Sequence, residues 1–280
     1  MVGKKIKVGM AQLLVEGGEP IRNLKRALEM VQEAAKKNCE LILLPECLDL
    51  AWTHPSAKTE AKPIPGLYSD QLCAIAREFG IYLCAGLTEQ YHGEKVYNAA
   101  ILVNDKGEII LKYRKINVLS VGLEFYEIGN TLSVVDTPFG KIGVNICSDN
   151  YIDSLPLGHT LARMGAQIIL SPSSWTADYS IDEKQDPYSE KWIKPYSILA
   201  ELYDLVIIGS TSVGYIVGGP FEGKKSVGCS IAVNKDGVIC RGPYLEFAGE
   251  LVVADIEVPI RAERGTEIGA MLKEKGYNIC

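Results

Sequence analysis

Cys147 closes a short apolar run, Ile142-Gly143-Val144-Asn145-Ile146-Cys147, and Ser148-Asp149-Asn150 follows it. A run of this kind reads as a buried strand. A thiol where strand gives way to loop stands where a rigid scaffold presents a nucleophile. The same thiol also suits a core as a small hydrophobe, so its meaning depends on partners. The thiolate is the reactive species, and a base must remove the proton. The three histidines, His54, His92 and His159, fall in a loop, a turn and the middle of a helix pattern; His159 is the nearest in sequence to the thiol. A carboxylate raised toward neutrality by burial is the other option. Glu46 is the best placed, a lone acid directly after a second apolar run, Leu41-Ile42-Leu43-Leu44-Pro45-Glu46. Ends of neighbouring strands in a parallel sheet converge on one rim. Lys115, in Tyr113-Arg114-Lys115-Ile116-Asn117, would lower a nearby thiol pKa and hold a developing oxyanion. Glu124 is a second acid with apolar neighbours, in Leu123-Glu124-Phe125-Tyr126.

The elements that must position these groups alternate from end to end. Strand patterns cover Ile6–Ala11, Leu41–Leu44, Ile81–Leu87, Ala99–Val103, Leu132–Asp136, Ile142–Cys147, Gln167–Leu170, Leu205–Gly209, Cys229–Val233 and Leu251–Ile256. Helix patterns cover Ile21–Lys37, Ser69–Phe79, Asp153–Met164, Glu190–Tyr203 and Ile260–Lys275. In the first helix Leu24, Leu28, Val31 and Ala35 recur at helical spacing. Asn104-Asp105-Lys106-Gly107 and Asn234-Lys235-Asp236-Gly237 are turn signals between strands, each predicting a hairpin. Their recurrence suggests two similar halves. With no Ser/Pro-rich linker, the chain reads as one α/β domain, residues 1–280, with buried strands and outer helices.

Composition narrows the function. A net charge of -6 with no basic cluster leaves no electrostatic footprint for nucleic acid or anionic membrane. No apolar stretch approaches the roughly 20 residues that span a bilayer, and the first strand is too short for a signal peptide. A cytoplasmic location is expected. The eight cysteines show no clustered spacing, so reduced thiols are expected rather than disulfides. There is no CxxC pair and no HExxH, so no metal site is expected. GxSxG, GxGxxG and GxxxxGK[ST] are also missing, which disfavours a serine hydrolase elbow and the usual phosphate-cradling loops.

Pro45-Glu46 after an apolar strand, Tyr113-Arg114-Lys115, and Ile146-Cys147-Ser148-Asp149 together resemble the nitrilase superfamily of carbon–nitrogen hydrolases. They match that family's three triad blocks in order and at similar separations. Val8-Gly9-Met10-Ala11-Gln12, Phe139-Gly140-Lys141-Ile142-Gly143, and Gly228-Cys229-Ser230 before Asp236-Gly237 resemble the flanking blocks. The resemblance implies a four-layer α-β-β-α sandwich of two mixed sheets, and subunits that pair through a helical face as a homodimer. It implies Glu46 as general base, Lys115 as oxyanion stabiliser, Cys147 as nucleophile and Glu124 as an auxiliary acid. The chain departs from the family in a short Glu124–Gly129 spacing, in Ile128 where a Pro is common, in Asn117 where a His is frequent, and in Glu201-Leu202 for a frequent Glu-Asn pair. The implied reaction is hydrolysis of an amide or N-carbamoyl bond of a small molecule through a Cys147 thioester, without cofactor. Nitrile hydrolysers commonly carry Cys-Trp-Glu, so Cys147-Ser148-Asp149 favours an amidase or carbamoylase. Nitrile hydrolysis, acyl transfer to an amine, and a catalytically silent ligand-binding dimer are the alternatives. Ser148, through its main-chain N–H, and Trp52, Tyr126, Tyr151 and Trp175 are the expected substrate contacts. Asp149 is expected to be a structural hydrogen-bonder, and Glu201 and Asp178 are candidates to meet a cationic substrate.

Overall fold

The computed structural model describes residues 3–182, 184, 188–244, 249–260 and 274–276. Two six-stranded sheets carry the chain. The first runs, in spatial order, Glu250–Val258, Lys4–Gln12, Leu41–Leu43, Tyr82–Tyr91, Lys95–Val103 and Ile109–Arg114. The second runs Gly237–Arg241, Ile231–Asn234, Val206–Thr211, Ile168–Ser173, Gly140–Val144 and Val134–Thr137. Each mixes parallel and antiparallel pairs. The strand Lys4–Gln12 lies against Val206–Thr211, and Tyr82–Tyr91 lies against Ile168–Ser173, so the sheets meet face to face. Helices Pro20–Lys36 and Leu67–Phe79 cover the outside of the first sheet, and Glu190–Tyr203, backed by Leu155–Arg163, covers the second. This is the expected α-β-β-α sandwich. A small sheet of Thr176–Ala177, Lys225–Val227 and Val213–Tyr215 has no counterpart in the sequence expectation, because strands of two or three residues carry no readable period.

The two-residue period of a strand builds both cores. Leu41 and Leu43 face the space between the sheets with Ile6, Val8 and Met10, whereas Ile42 and Leu44 face the helices with Leu24, Ala27 and Val31. The first helix buries Leu24, Ala27, Val31 and Ala34. The stripe therefore centres one residue earlier than expected, and Leu28 and Ala35 are only half-buried.

Both hairpins form. Asn104 Oδ1 accepts the Lys106 and Glu108 N–H groups, Asn234 Oδ1 accepts that of Asp236, and Gly107 and Gly237 take positive φ. The halves repeat in register. Leu41 pairs with Tyr82 and Leu83 with Val103 in one half; Ile168 pairs with Val206 and Ile207 with Val233 in the other. The hint from the two turns thus extends to whole sheets. The predicted strand Ile142–Cys147 ends at Val144, because Cys147 has φ +45° and opens a 3-10 turn, Cys147–Asn150. The expected helix Ile260–Lys275 falls on residues that, apart from 260 and 274–275, lie outside the described set. No helix among the described residues is long and apolar enough to cross a membrane, and the seven described cysteines are free thiols.

Candidate active site

The two apolar runs and the end of a hairpin deliver Glu46, Lys115 and Cys147 to one buried point. Glu46 follows the Leu41–Leu43 strand, and its N–H donates to the Ser173 carbonyl across the sandwich at 3.2 Å. The neighbouring strand can approach this turn only because residue 86 is glycine. A Cβ on Gly86 would lie 2.5 Å from Glu46 Cα and 2.8 Å from the Pro45 carbonyl oxygen. Lys115 follows the Ile109–Arg114 strand and donates its N–H to the Asn98 carbonyl at 2.8 Å. Its ammonium donates to Glu46 Oε1 at 2.6 Å, with side-chain exposures of 2% and 1%. Asn98 Nδ2 donates to the same oxygen at 2.6 Å, and Glu46 Oε2 is buried with no hydrogen bond formed.

Cys147 sits in the left-handed region that β-carbon-bearing residues rarely adopt, a strained placement that the surrounding structure must enforce. The enforcement is visible. The Cys147 N–H donates to Ser171 Oγ at 3.2 Å. Asp149 accepts the Ile146 N–H at 2.8 Å, the Asn117 N–H at 2.7 Å and the Tyr113 hydroxyl at 2.8 Å. Asn145 and Asn150 exchange side-chain hydrogen bonds, and Asn150 also donates to Ser171 Oγ. Asn117, the residue that departs from the family's histidine, donates to the Ser148 carbonyl at 2.7 Å and also reaches the Ser154 hydroxyl.

Electrostatics set the resting protonation. Burial, then the charge and acceptor oxygens of Glu46, push the Cys147 thiol well above its usual range; the Lys115 charge and the Ser174 N–H pull the other way without prevailing. Burial opposes the Lys115 ammonium, but Glu46, Cys147 and Asp149 outweigh it, and the lysine is held above its ordinary value. The site therefore rests with a neutral Cys147 thiol beside the Lys115 ammonium.

The expected wall residues take different places. Trp52 lies over the Lys115 ammonium, 5.8 Å from ring centroid to Nζ, and against Phe221. Trp175 is fully buried and stacked on Trp192 at 4.6 Å, and Tyr151 tilts against the same Trp192. Burial, first, raises the Tyr151 phenol, and the Cys147 thiolate, when it forms, raises it further. Tyr126 stands behind the turn rather than in a wall: its hydroxyl accepts the Thr53 N–H at 2.9 Å and faces the Cys47 thiol. The Ser148 hydroxyl donates to the Asn117 carbonyl at 2.7 Å, and its carbonyl accepts the Asn117 amide and the Tyr151 N–H. Glu124 is not brought to the triad; its side chain is 69% exposed and lies 3.5 Å from Lys58. Asp178 is exposed and paired with Lys224, Glu201 is exposed, and His159 is buried against the Tyr203 hydroxyl. Among the described residues no group of three or more His, Cys, Asp or Glu side chains is arranged to hold a metal ion.

A narrow cleft with a cavity volume of about 20 Å³ leads to Glu46 past Trp52, His54, Ser174, Ser212 and Tyr215. Sequence reasoning set His54 aside as a loop histidine and passed over Asn98 and Ser174. Asn98 had left a signal, a lone amide inside Tyr97-Asn98-Ala99-Ala100-Ile101. Ser174 lies in a loop with none.

The sequence model of the family described as Carbon-nitrogen hydrolase matches residues 7–262. Omega-amidase NIT2-A of Xenopus laevis is 31% identical over 182 residues, 61% of this chain and 64% of that protein. The chain thus matches just under two thirds of that relative's length. A nitrilase of Pyrococcus abyssi is 33% identical over 180 residues, covering 62% of this chain and 67% of that protein. Two solved structures share the fold. A carbon–nitrogen hydrolase from Helicobacter pylori G27 has a TM-score of 0.80 at 19% identity, covering 98% of this chain and 94% of that one. An amidase from Nesterenkonia sp. has a TM-score of 0.78 at 18% identity, covering 92% of each.

Proposed function

Because the chain belongs to the carbon–nitrogen hydrolase family, we propose that it hydrolyses an amide or N-carbamoyl bond of a small molecule through a thioester on Cys147. The observation that carries this reading is the buried ion pair, Lys115 Nζ to Glu46 Oε1 at 2.6 Å, set beside a strained cysteine. A buried pair of this kind is a poor stabilising device compared with apolar packing, and here it lies against a nucleophile.

The resting thiol needs a base at the moment of attack, and Glu46 is that base. As sulfur attacks the carbonyl carbon, the thiol proton passes to Glu46. The oxyanion is held by the Lys115 ammonium and by the Ser148 N–H, in the first turn of a 3-10 helix where main-chain donors are unused by the helix. Glu46 then gives its proton to the leaving nitrogen, the C–N bond breaks, and the amine departs. Water, deprotonated by Glu46, attacks the thioester; the C–S bond breaks and the thiol regains its proton. Each step uses only the chain, the substrate and water. Glu124, exposed against Lys58, takes no step in this scheme.

The likeness to an omega-amidase and the Cys147-Ser148-Asp149 sequence support an amide over a nitrile. We read residues 1–280 as one catalytic domain that pairs as a homodimer in the cytoplasm. The free thiols support a reducing compartment. Exposed Ile152 and Met164 beside the Leu155–Arg163 helix support pairing through a helical face. The test is ammonia release from a panel of ω-amides, N-carbamoyl amino acids and nitriles. Amide or carbamoyl turnover that disappears in Cys147→Ala, with thermal stability kept, is the expected result. Turnover by Cys147→Ala would overturn the scheme.

A further inference from the structure

We infer that Asn98 is a positioning residue that keeps Glu46 ionised and aims its free oxygen at the thiol; this rests on the hydrolase reading above. Asn98 is fully buried in the Lys95–Val103 strand, followed by Ala99, Ala100 and Ile101. It touches two members of the triad at once. Its side-chain Nδ2 donates to Glu46 Oε1 at 2.6 Å, and its main-chain carbonyl accepts the Lys115 N–H at 2.8 Å. The amide orientation follows from chemistry, since only the NH2 end has a hydrogen to offer a carboxylate.

Packing does not explain an amide here. Asn98 Oδ1 is buried with no hydrogen-bond partner, a cost that an apolar residue of the same shape would avoid. What the amide adds is a charge-assisted hydrogen bond, stronger than a neutral one. Its placement on the carboxylate is the second clue. Lys115 and Asn98 both donate to Oε1, and Oε2 is left buried and unbonded. Two donors on one oxygen fix the plane of the carboxylate and leave the lone pairs of the other oxygen for the thiol proton. Loss of the Asn98 donor makes the ionised carboxylate harder to maintain and lets it turn.

The test uses alkylation of Cys147 by iodoacetamide, followed by peptide mass spectrometry as a function of pH, on the full chain and on Asn98→Leu and Asn98→Ser. Both variants keep the main-chain bond to Lys115. The expected result is an acid limb of the rate profile displaced to higher pH by about one unit, from the typical worth of a hydrogen bond to a charged group. Below the limb the rate falls about tenfold, since each pH unit there is a factor of ten. A limb in its wild-type place overturns the inference, whether the rate is unchanged or lowered equally at every pH. Loss of folding in both variants overturns it too, because Asn98 would then serve the fold rather than the base. Glu46→Gln separates the two levels of argument. If it alkylates like wild type, the reading of Glu46 as base fails. If it removes the limb while the Asn98 variants leave it in place, only the role of Asn98 fails.

Discussion

Removing the Lys115 ammonium is the most exposing perturbation of this site, because the same atom serves stability and chemistry. At 2.6 Å from Glu46 Oε1, and with an effective dielectric of roughly 20, the gross attraction is about 6 kcal/mol. Desolvation of both charges consumes much of it, but deleting one partner leaves the other buried and alone, which typically costs about 3–5 kcal/mol. In Lys115→Met that orphan is a carboxylate with 1% side-chain exposure, still bonded by Asn98. For a chain of this size the expected loss is roughly 6–20 °C in Tm. Turnover is expected to fall at least ~100- to 1,000-fold, the usual effect of deleting one oxyanion donor. The double variant Glu46→Gln/Lys115→Met places a neutral amide against an apolar side chain. It should recover at least half of the lost Tm and none of the turnover. Circular-dichroism melting and ammonia release measure the two quantities. A Lys115→Met protein with wild-type Tm would show that the pair is not the buried unit described here. A double variant that regains turnover would remove both residues from the chemistry.

Asp49 offers a pH test. It is fully buried, accepts the Thr88 N–H on both oxygens and the Leu50 N–H on one, and burial nonetheless raises it from 3.8 to about 6. The folded state therefore holds a proton that the unfolded chain has lost between about pH 4 and about pH 6, so stability falls as pH rises through that window, by about 3 kcal/mol in all. Urea denaturation of wild type against Asp49→Asn should show that difference developing across the window, and a constant difference would refute the assignment. Gly86→Ala should force the Glu46 turn aside, costing about 1–3 kcal/mol of stability as overpacking does and about 100-fold in kcat, the scale of a 1 Å misplacement. A variant with wild-type kcat would show that the turn tolerates the methyl.

The triad was legible because each member ends a readable segment: Glu46 and Cys147 close apolar runs, and Lys115 closes a hairpin strand announced by Asn104–Gly107. The hairpin turns were legible because asparagine and glycine are what those turns require. The residues that refine the site were less so. Ser174 contributes a main-chain N–H, which any residue type supplies, and Gly86 matters for the atoms it lacks. Asn98 fell just outside the expected strand Ala99–Val103, whereas the observed strand, Lys95–Val103, carries it to Glu46. Glu124 shared the apolar flanks of Glu46, but a 3-10 turn, Ser120–Glu124, carries it to the surface. One-sided sequence context does not separate those two outcomes. Cys147 read as strand because its neighbours are apolar; the left-handed φ that ends the strand is imposed by Asp149, Asn150 and Ser171, and all three lie after it in sequence.

The in-register repeat of the two sheets bears on how this site can be assembled. Counting from the paired strands Leu41–Leu43 and Ile168–Ser173, Glu46 falls where Ser173 falls in the other half, each directly after a proline, Pro45 and Pro172. The Glu46 N–H donates to the Ser173 carbonyl, so two like corners grip one another across the seam, and one alone carries the acid. Glu46 and Lys115 belong to the first half and Cys147 to the second. Neither half, made separately, contains a complete set of reacting groups. Catalysis would thus report on the docking of the halves as directly as on any side chain, and two inactive fragments that regain turnover on mixing would be the signature of that dependence.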